Sequence, residues 1–295
     1  SLKEIPNFKL GYAVFGMEVT GVYGLVLMKT LTKLKAKVVV EPALRIKNSL
    51  GIIRGKNDKL DAARIARYLI KNLQELKLWT PRRKVIDELS SLSTLRERMV
   101  RVTTMMSTPL SEDDGFIDQE ISDSNIQLCS TTIMHSQQLV KDIEQRIVNL
   151  WKSDDHCNRL MKIMLSVVGI GDVTALQMLI HTNEFKSITT ARTFASYCGV
   201  APFEHDSGTS VKKKARVSPM ANKRIKSLLH NGVRSCLQYD PAIKAYYKRR
   251  VEIDKKNKMS TMNAIKFKLI CRVFACVRGD RLYDKGYVPK APLEN

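Results

Sequence analysis

Leu92, Leu95, Met99, Val102 and Met106 follow one another at alternating three- and four-residue steps, and Leu139, Ile143, Ile147 and Leu150 repeat similarly further on. That period keeps an apolar stripe on one side of a helix. Between the two runs, Pro109 to about Asn125 is polar and acidic and contains Gly115, which predicts a connection. Residues 82–165 are therefore predicted to form a helical hairpin that packs on itself or on a second subunit. A segment of an ordinary helical bundle has the same pattern, so the rhythm alone leaves self-association open.

The period changes on either side. Tyr12 to Met17 reads as a buried strand, and a helix over about 22–35 would carry Val22, Leu25, Val26, Met28, Leu31 and Leu34 on a common side. Lys37 to Glu41 is a second short strand closed by Pro42. Asn57 or Asp58 then caps a helix to about Asn72, with Leu60, Ile65, Leu69 and Leu73 inside. Strand, helix, strand, helix is an α/β order. Residues 166–278 read as mainly helical, and the tail after Arg278, with two glycines and two prolines, is expected to fray.

Charge narrows the function. Formal net charge is +21, and the stretch from Asp206 to Lys258, under a fifth of the 295 residues, carries +11 of it. Such a surplus attracts phosphate polyanions. No stretch approaches the roughly 18 consecutive apolar residues of a membrane span. The start has neither an apolar signal core nor an initiator Met, which is expected of a processed, trimmed or fragmentary start. Six scattered cysteines form no CxxC pair and five histidines show no ligand spacing, so a reducing cytosol with neither disulfide framework nor zinc site is expected.

Four constellations bear on chemistry. Glu18 closes a predicted buried strand, where an acid is costly without a partner. Asp58 and Asp61, three apart at a helix start, share one face. Converging carboxylates suit Mg²⁺ or Mn²⁺, hard ions that activate a nucleophile and stabilise a leaving oxygen in phosphoryl transfer. Taken singly, Asp58 is equally an N-cap and Asp61 a charge that favours the helix dipole. In the second constellation, apolar residues precede Gly169-Ile170-Gly171 and a helix follows, which matches a helix–hairpin–helix offering backbone N–H groups to a phosphate. A plain helical packing turn is the alternative.

The third runs from Gly199 through Ser207-Gly208 to Lys212, Lys213, Lys214 and Arg216, with Lys223 and Arg224 beyond. A hydroxyl in a polar loop beside cations is poised to attack a phosphodiester, while an ordinary basic DNA-contact loop has the same composition. In the fourth, Tyr246 and Tyr247 lead into Lys248, Arg249 and Arg250, aromatics and cations that suit a nucleic acid or simply a solvated helix end.

Together these motifs resemble one family. Met17 to Tyr23, MEVTGVY, resembles the "MEATGVY" segment of the DEDD insertion-sequence transposases, the group that includes the Piv-type site-specific DNA invertases. Lys56 to Ala62 resembles their "K-T-D-x-x-D-A" segment, with Asn57 in place of the usual Thr. The Gly169/Gly171 turn and Ser207-Gly208 resemble the two landmarks of their C-terminal domain, so the resemblance covers roughly residues 12–280. It implies an α/β plus α fold: a partial RNase H-like N-terminal domain over 1–80, a helical hairpin linker over 81–160, and a mainly helical C-terminal transposase domain over 161–280, ending in a tail over 281–295. It also implies that four acidic residues hold a divalent metal, with Glu18 matching the second acid, Asp58 the third and Asp61 the fourth. Ser207 matches the nucleophile that joins covalently to DNA.

The family's first acid lies well upstream of the Met-Glu segment, yet only 17 residues precede Glu18. The opening strands and that Asp are therefore expected to be missing, which leaves an exposed strand edge and an incomplete cation site. The expectation is a cytoplasmic, nucleoid-associated transposase or recombinase that cleaves and rejoins double-stranded DNA as a homodimer or higher homo-oligomer, away from membranes. The family's use of a structured guide RNA extends to it by resemblance. Two rivals stand beside this reading: a DNA-binding protein with an inactive N-terminal remnant, and a metal-dependent junction nuclease that never uses Ser207.

Overall fold

The computed structural model describes residues 5–19, 21–51, 55, 57–112, 115–201, 203–207, 211–217 and 220–286. The chain divides into two compact units, Ser1–Pro81 and Arg82–Asn295. Its described part is mostly helical with one small parallel sheet, an α/β plus α layout.

In the first unit, β1 (Val14–Glu18) and β2 (Lys37–Glu41) pair in parallel, with Val14 opposite Lys37 and Glu18 opposite Glu41. Between them a 3₁₀ turn at Gly21–Gly24 leads into α1 (Leu25–Lys33). Pro42 precedes α2 (Ala43–Ser49), a short helix that the sequence reading did not include. Then comes α3 (Asp58–Lys71), whose cap is Asn57: its Oδ1 accepts the Leu60 N–H at 2.8 Å. Gly16 lets α3 approach the sheet closely. A Cβ there would lie 2.5 Å from Leu69 Cδ1 and 2.7 Å from Ile65 Cγ2. Val39, Ile46, Tyr68 and Leu69 form the core, with Val14, Leu50, Ile65 and Leu76 against it.

The expected apolar face of α1 is buried only in part. Leu31 is covered, while Leu25, Val26 and Leu34 stay exposed. Leu60 on α3 and Leu73 just beyond its end are exposed, and Tyr68 takes the inward place beside Leu69. Two strands are too narrow to cover every apolar position that helical periodicity aligns.

In the second unit, α4 (Lys84–Glu112) and α5 (Gln119–Lys152) form the hairpin. Both helices run into the interval expected to be a connection. Pro109 lies in the last turn of α4, where its missing N–H removes one helix bond close to the helix end, and Asp118 caps α5 by accepting the Glu120 N–H at 3.0 Å. The base of the hairpin, through Ile86, Leu89, Leu92, Ile143, Ile147 and Trp151, joins the core of the elements that follow. Those are α6 (Asp155–Leu165), α7 (Asp172–Thr182), α8 (Ala191–Tyr197), the antiparallel pair β3 (Phe203–Ser207) and β4 (Val211–Arg216), α9 (Lys223–Tyr239), α10 (Pro241–Lys248) and α11 (Lys258–Arg278). A single π turn, Arg249–Ile253, follows α10. Among the described residues, no helix is long and apolar enough to cross a membrane.

Candidate functional site

Side chains two apart on a strand share a face, so Glu18 projects on the same side of the sheet as Gly16, towards α3. It lines a cleft of about 370 Å³ together with Lys47, Gly55, Asp61, Arg64 and Ile65. Arg64 bonds Asp61 Oδ1 at 2.7 Å and donates to the Gly55 carbonyl at 2.9 Å, which holds both side chains at the cleft wall. Two of the three predicted carboxylates thus meet in one cleft. Asp58 heads α3 on the exposed side and is not among the lining residues.

Glu41, opposite Glu18 in the ladder, is a carboxylate the sequence reading missed. It is buried and takes Arg45 Nη1 on both oxygens, at 3.2 and 3.3 Å. Like Glu18, Glu41 is an acid at the end of an apolar strand, and that pattern is visible in the sequence. The oxygen donors of Glu18 and Asp61 fit a hard divalent cation at two positions. Among the described residues, no group of three acidic, His or Cys side chains is arranged to hold one.

In the second unit, the turn between α6 and α7 gives its two glycines different tasks. Gly169 has φ +91°, and a Cβ on it would collide with Cys236 Sγ and lie 2.7 Å from the Gly232 carbonyl oxygen. It is a close-packing residue between this turn and α9. Gly171 is exposed and precedes α7 with no side-chain cap, and Asp172 follows in the first turn.

Ser207 was expected in a polar loop but ends strand β3, opposite Val211. Asp206 pairs with Lys212 and His205 with Lys213 along the two strands of the hairpin. Lys214 and Arg216 lie on β4, whereas Gly208 falls outside the described residues. The two ends of this hairpin are tied at residues the sequence reading did not single out. The Asn222 N–H donates to the Tyr197 carbonyl at 2.9 Å, and Asn222 Nδ2 donates to the Tyr197 hydroxyl at 3.2 Å. That hydroxyl also lies 2.8 Å from His181 Nδ1. Burial, helped by Arg82 and Arg224, pushes the His181 pKa down to about 4, so the ring is neutral near pH 7. Just beyond, Lys223 is exposed, while Arg224 is engaged by Glu97 of α4.

A second network braces the start of this unit. Arg83 bonds Asp154, the cap of α6, at 2.7 and 2.8 Å and Glu184 at 2.5–3.1 Å. Lys186 adds a bond to Glu184 at 2.9 Å. Burial pushes Glu184 up, but its bonds to Arg83 and Lys186 outweigh that and hold its pKa below the usual value. The Arg83 bonds hold Asp154 well below the carboxylate range.

Two family matches fall on these units. Residues 7–111 match the DEDD transposase domain of the IS110 type, and residues 161–248 match the domain described as "Transposase IS116/IS110/IS902 family". The chain is 29% identical over 239 residues to a protein named pilin gene-inverting protein from Moraxella bovis, covering 80% of this chain and 70% of that one. Its namesake from Moraxella lacunata aligns to the same extent. An insertion element IS110 protein of Streptomyces coelicolor is 27% identical over 155 residues, 52% of this chain and 36% of that one.

Proposed function

We propose that this chain, which carries both transposase domains of the IS110 family and belongs to that family, cleaves and rejoins double-stranded DNA. The observation that carries the reading is the pair of domain matches in one chain, the first spanning the cleft of Glu18 and Asp61 and the second spanning Ser207. In this reading residues 1–80 are an RNase H-like domain, residues 81–160 a linker and residues 161–280 the domain that binds DNA and carries the serine. The α6–α7 turn acts as a helix–hairpin–helix on one backbone phosphate through Gly171 and the amides behind it.

Ser207 Oγ attacks phosphorus, the bond to one bridging sugar oxygen breaks, and the leaving sugar takes up a proton as the serine gives one up. Attack on the resulting phosphoserine by the hydroxyl of another strand reverses these steps and rejoins the DNA. Glu18 and Asp61, which line one cleft, would hold Mg²⁺ or Mn²⁺ at two positions, Asp58 of the same expected set lying outside that cleft, and the ion would neutralise charge on the phosphate. Arg64 keeps Asp61 oriented and its charge balanced. Lys212, Lys213, Lys214, Arg216 and Lys223 neutralise the DNA backbone around the serine. Exposed apolar residues of the hairpin, among them Met105, Phe116, Ile121 and Leu128, support its use as a surface between copies of this chain. A structured RNA from the same element would choose the DNA sites.

The test is covalent trapping. Labelled duplex carrying the element's ends is incubated with the chain, Mg²⁺ and the element's noncoding RNA, and run under denaturing conditions. A protein–DNA adduct that disappears with Ser207→Ala is the expected result. Cleavage that survives Ser207→Ala gives the chemistry to the carboxylates alone. Tight DNA binding with neither adduct nor cleavage leaves a binding protein.

A further inference from the structure

Three cationic or titratable side chains stand on one face of α9: Lys226, His230 and Arg234, at four-residue steps. Each directly follows a buried residue of the row Ile225, Leu229 and Val233. The row therefore runs along the edge of the seam where α9 packs on α11. On the α11 side of that seam sits Lys266, next to the buried Ile265 and only 4% exposed.

A lysine so enclosed normally has a carboxylate beside it. Among the described residues, none of these four side chains makes an ion pair or a hydrogen bond. They also feel one another's charge. Burial and then Lys226 lower the Lys266 pKa, and burial, Lys266 and Arg234 lower that of His230. Other cations of this unit are matched: Arg83 by Asp154 and Glu184, Arg96 by Glu144, Arg224 by Glu97 and Arg272 by Asp240.

We propose that Lys226, His230, Arg234 and Lys266 form a binding site for a backbone phosphate of duplex DNA, a site separate from Ser207 and the α6–α7 turn. The inference rests on the DNA-handling reading above. An uncompensated group of like charges is destabilising alone, and a phosphate relieves it. The two lysines act as point charges and the Arg234 guanidinium supplies a fork that matches two phosphate oxygens. His230 contributes an N–H donor. Such a contact anchors DNA without reading its sequence.

The experiment follows the affinity of the full chain for a short duplex DNA of arbitrary sequence as salt is varied. Lys266→Met is expected to weaken binding and reduce the slope of log affinity against log salt by about 1, and Lys226→Gln with Arg234→Gln by about 2. Lys266→Arg is expected to retain the parent slope, and Lys141→Gln, on the exposed side of α5, serves as a charge-matched control. Lys266→Met is also expected to raise the melting temperature, because it removes a largely enclosed side chain whose charge is crowded by Lys226. Higher stability with unchanged affinity and slope would overturn the site and make Lys266 a lysine that merely threads its stem along apolar surface to solvent. Should Lys266→Met fail to fold, an unchanged slope in the surface double variant overturns the site instead. Equal losses on duplex RNA support a phosphate contact blind to the sugar, and losses confined to RNA overturn DNA as the occupant. A parent chain that binds no DNA overturns the site together with the reading beneath it. Unchanged slopes in a parent that binds DNA overturn the site alone.

Discussion

The two units solve their charge and packing problems differently. In the first, Val39, Ile46, Tyr68 and Leu69 make a small core, and Lys47 and Arg64 line the cleft beside Glu18 and Asp61. In the second, a continuous core runs from Ile86 on α4 to Cys276 on α11, buried ion pairs brace its start, and among the described residues Lys226, His230 and Arg234 of α9 and Lys266 of α11 stand without carboxylates. A large core tolerates uncompensated surface charge because that charge is a small fraction of its stability, whereas a small one does not. The second unit thus leaves a group of cations without carboxylates among the described residues, and the first gathers two carboxylates and two cations in one cleft.

The sharpest way to break this comparison is Arg83→Met. The Glu184 side chain is fully buried, and without Arg83 it keeps Lys186 at 2.9 Å and the His156 ring at 3.6 Å as partners among the described residues. Loss of about 3–5 kcal/mol from the second unit is expected, read in urea denaturation. A transition of the first unit should stay where it was, and a loss under about 1 kcal/mol would mean that the network does not brace the fold.

Next in size is Leu69→Ala, which removes one of the four core side chains of the first unit. It is expected to cost about 2–3 kcal/mol there and to leave the second unit's transition unmoved. Movement of both transitions together would show that the units unfold as one.

The smallest effect concerns pH. His181 has a pKa pushed down to about 4 against 6.5 when unfolded. Its contribution is fully present above pH 6.5 and is lost as the pH falls towards 4, because the unfolded chain takes up a proton that the folded chain refuses. Asp154 and Glu184 begin to lose their contributions only near their ordinary values of 3.8 and 4.5. Comparing urea midpoints at pH 7 and pH 5 therefore isolates histidine, and His181→Asn is expected to flatten the difference. Some slope remains, since His230 is shifted the same way. An unchanged slope in the variant would show that the ring is not held neutral.

Much of the secondary structure was legible because its signals are local. Valines at Lys37–Glu41, Asn57 before Asp58 and the apolar rhythm of α4 and α5 each act within one or two turns. Boundaries were less so: polar residues around Gly115 suit an exposed helix as well as a loop, and the helices extended into them. The β3–β4 hairpin was missed because its signal is the match between two strands, which a scan of either strand alone does not reveal.

The candidate site divides the same way. Glu18, Asp61 and Ser207 stood out by residue type and spacing, and the order of motifs by itself determined the family. Composition determined the strongly positive net charge, which needs no coordinates. Only the tertiary structure decided that Glu41 lies level with Glu18, that Gly169 serves packing against Gly232, and that Lys266 is enclosed beside Lys226 and His230. Each of these depends on residues far apart in the chain meeting across a sheet or a helix seam. Whether a charge is paired, balanced or left open is a property of that meeting, because Coulomb energy follows distance and burial and not position along the sequence.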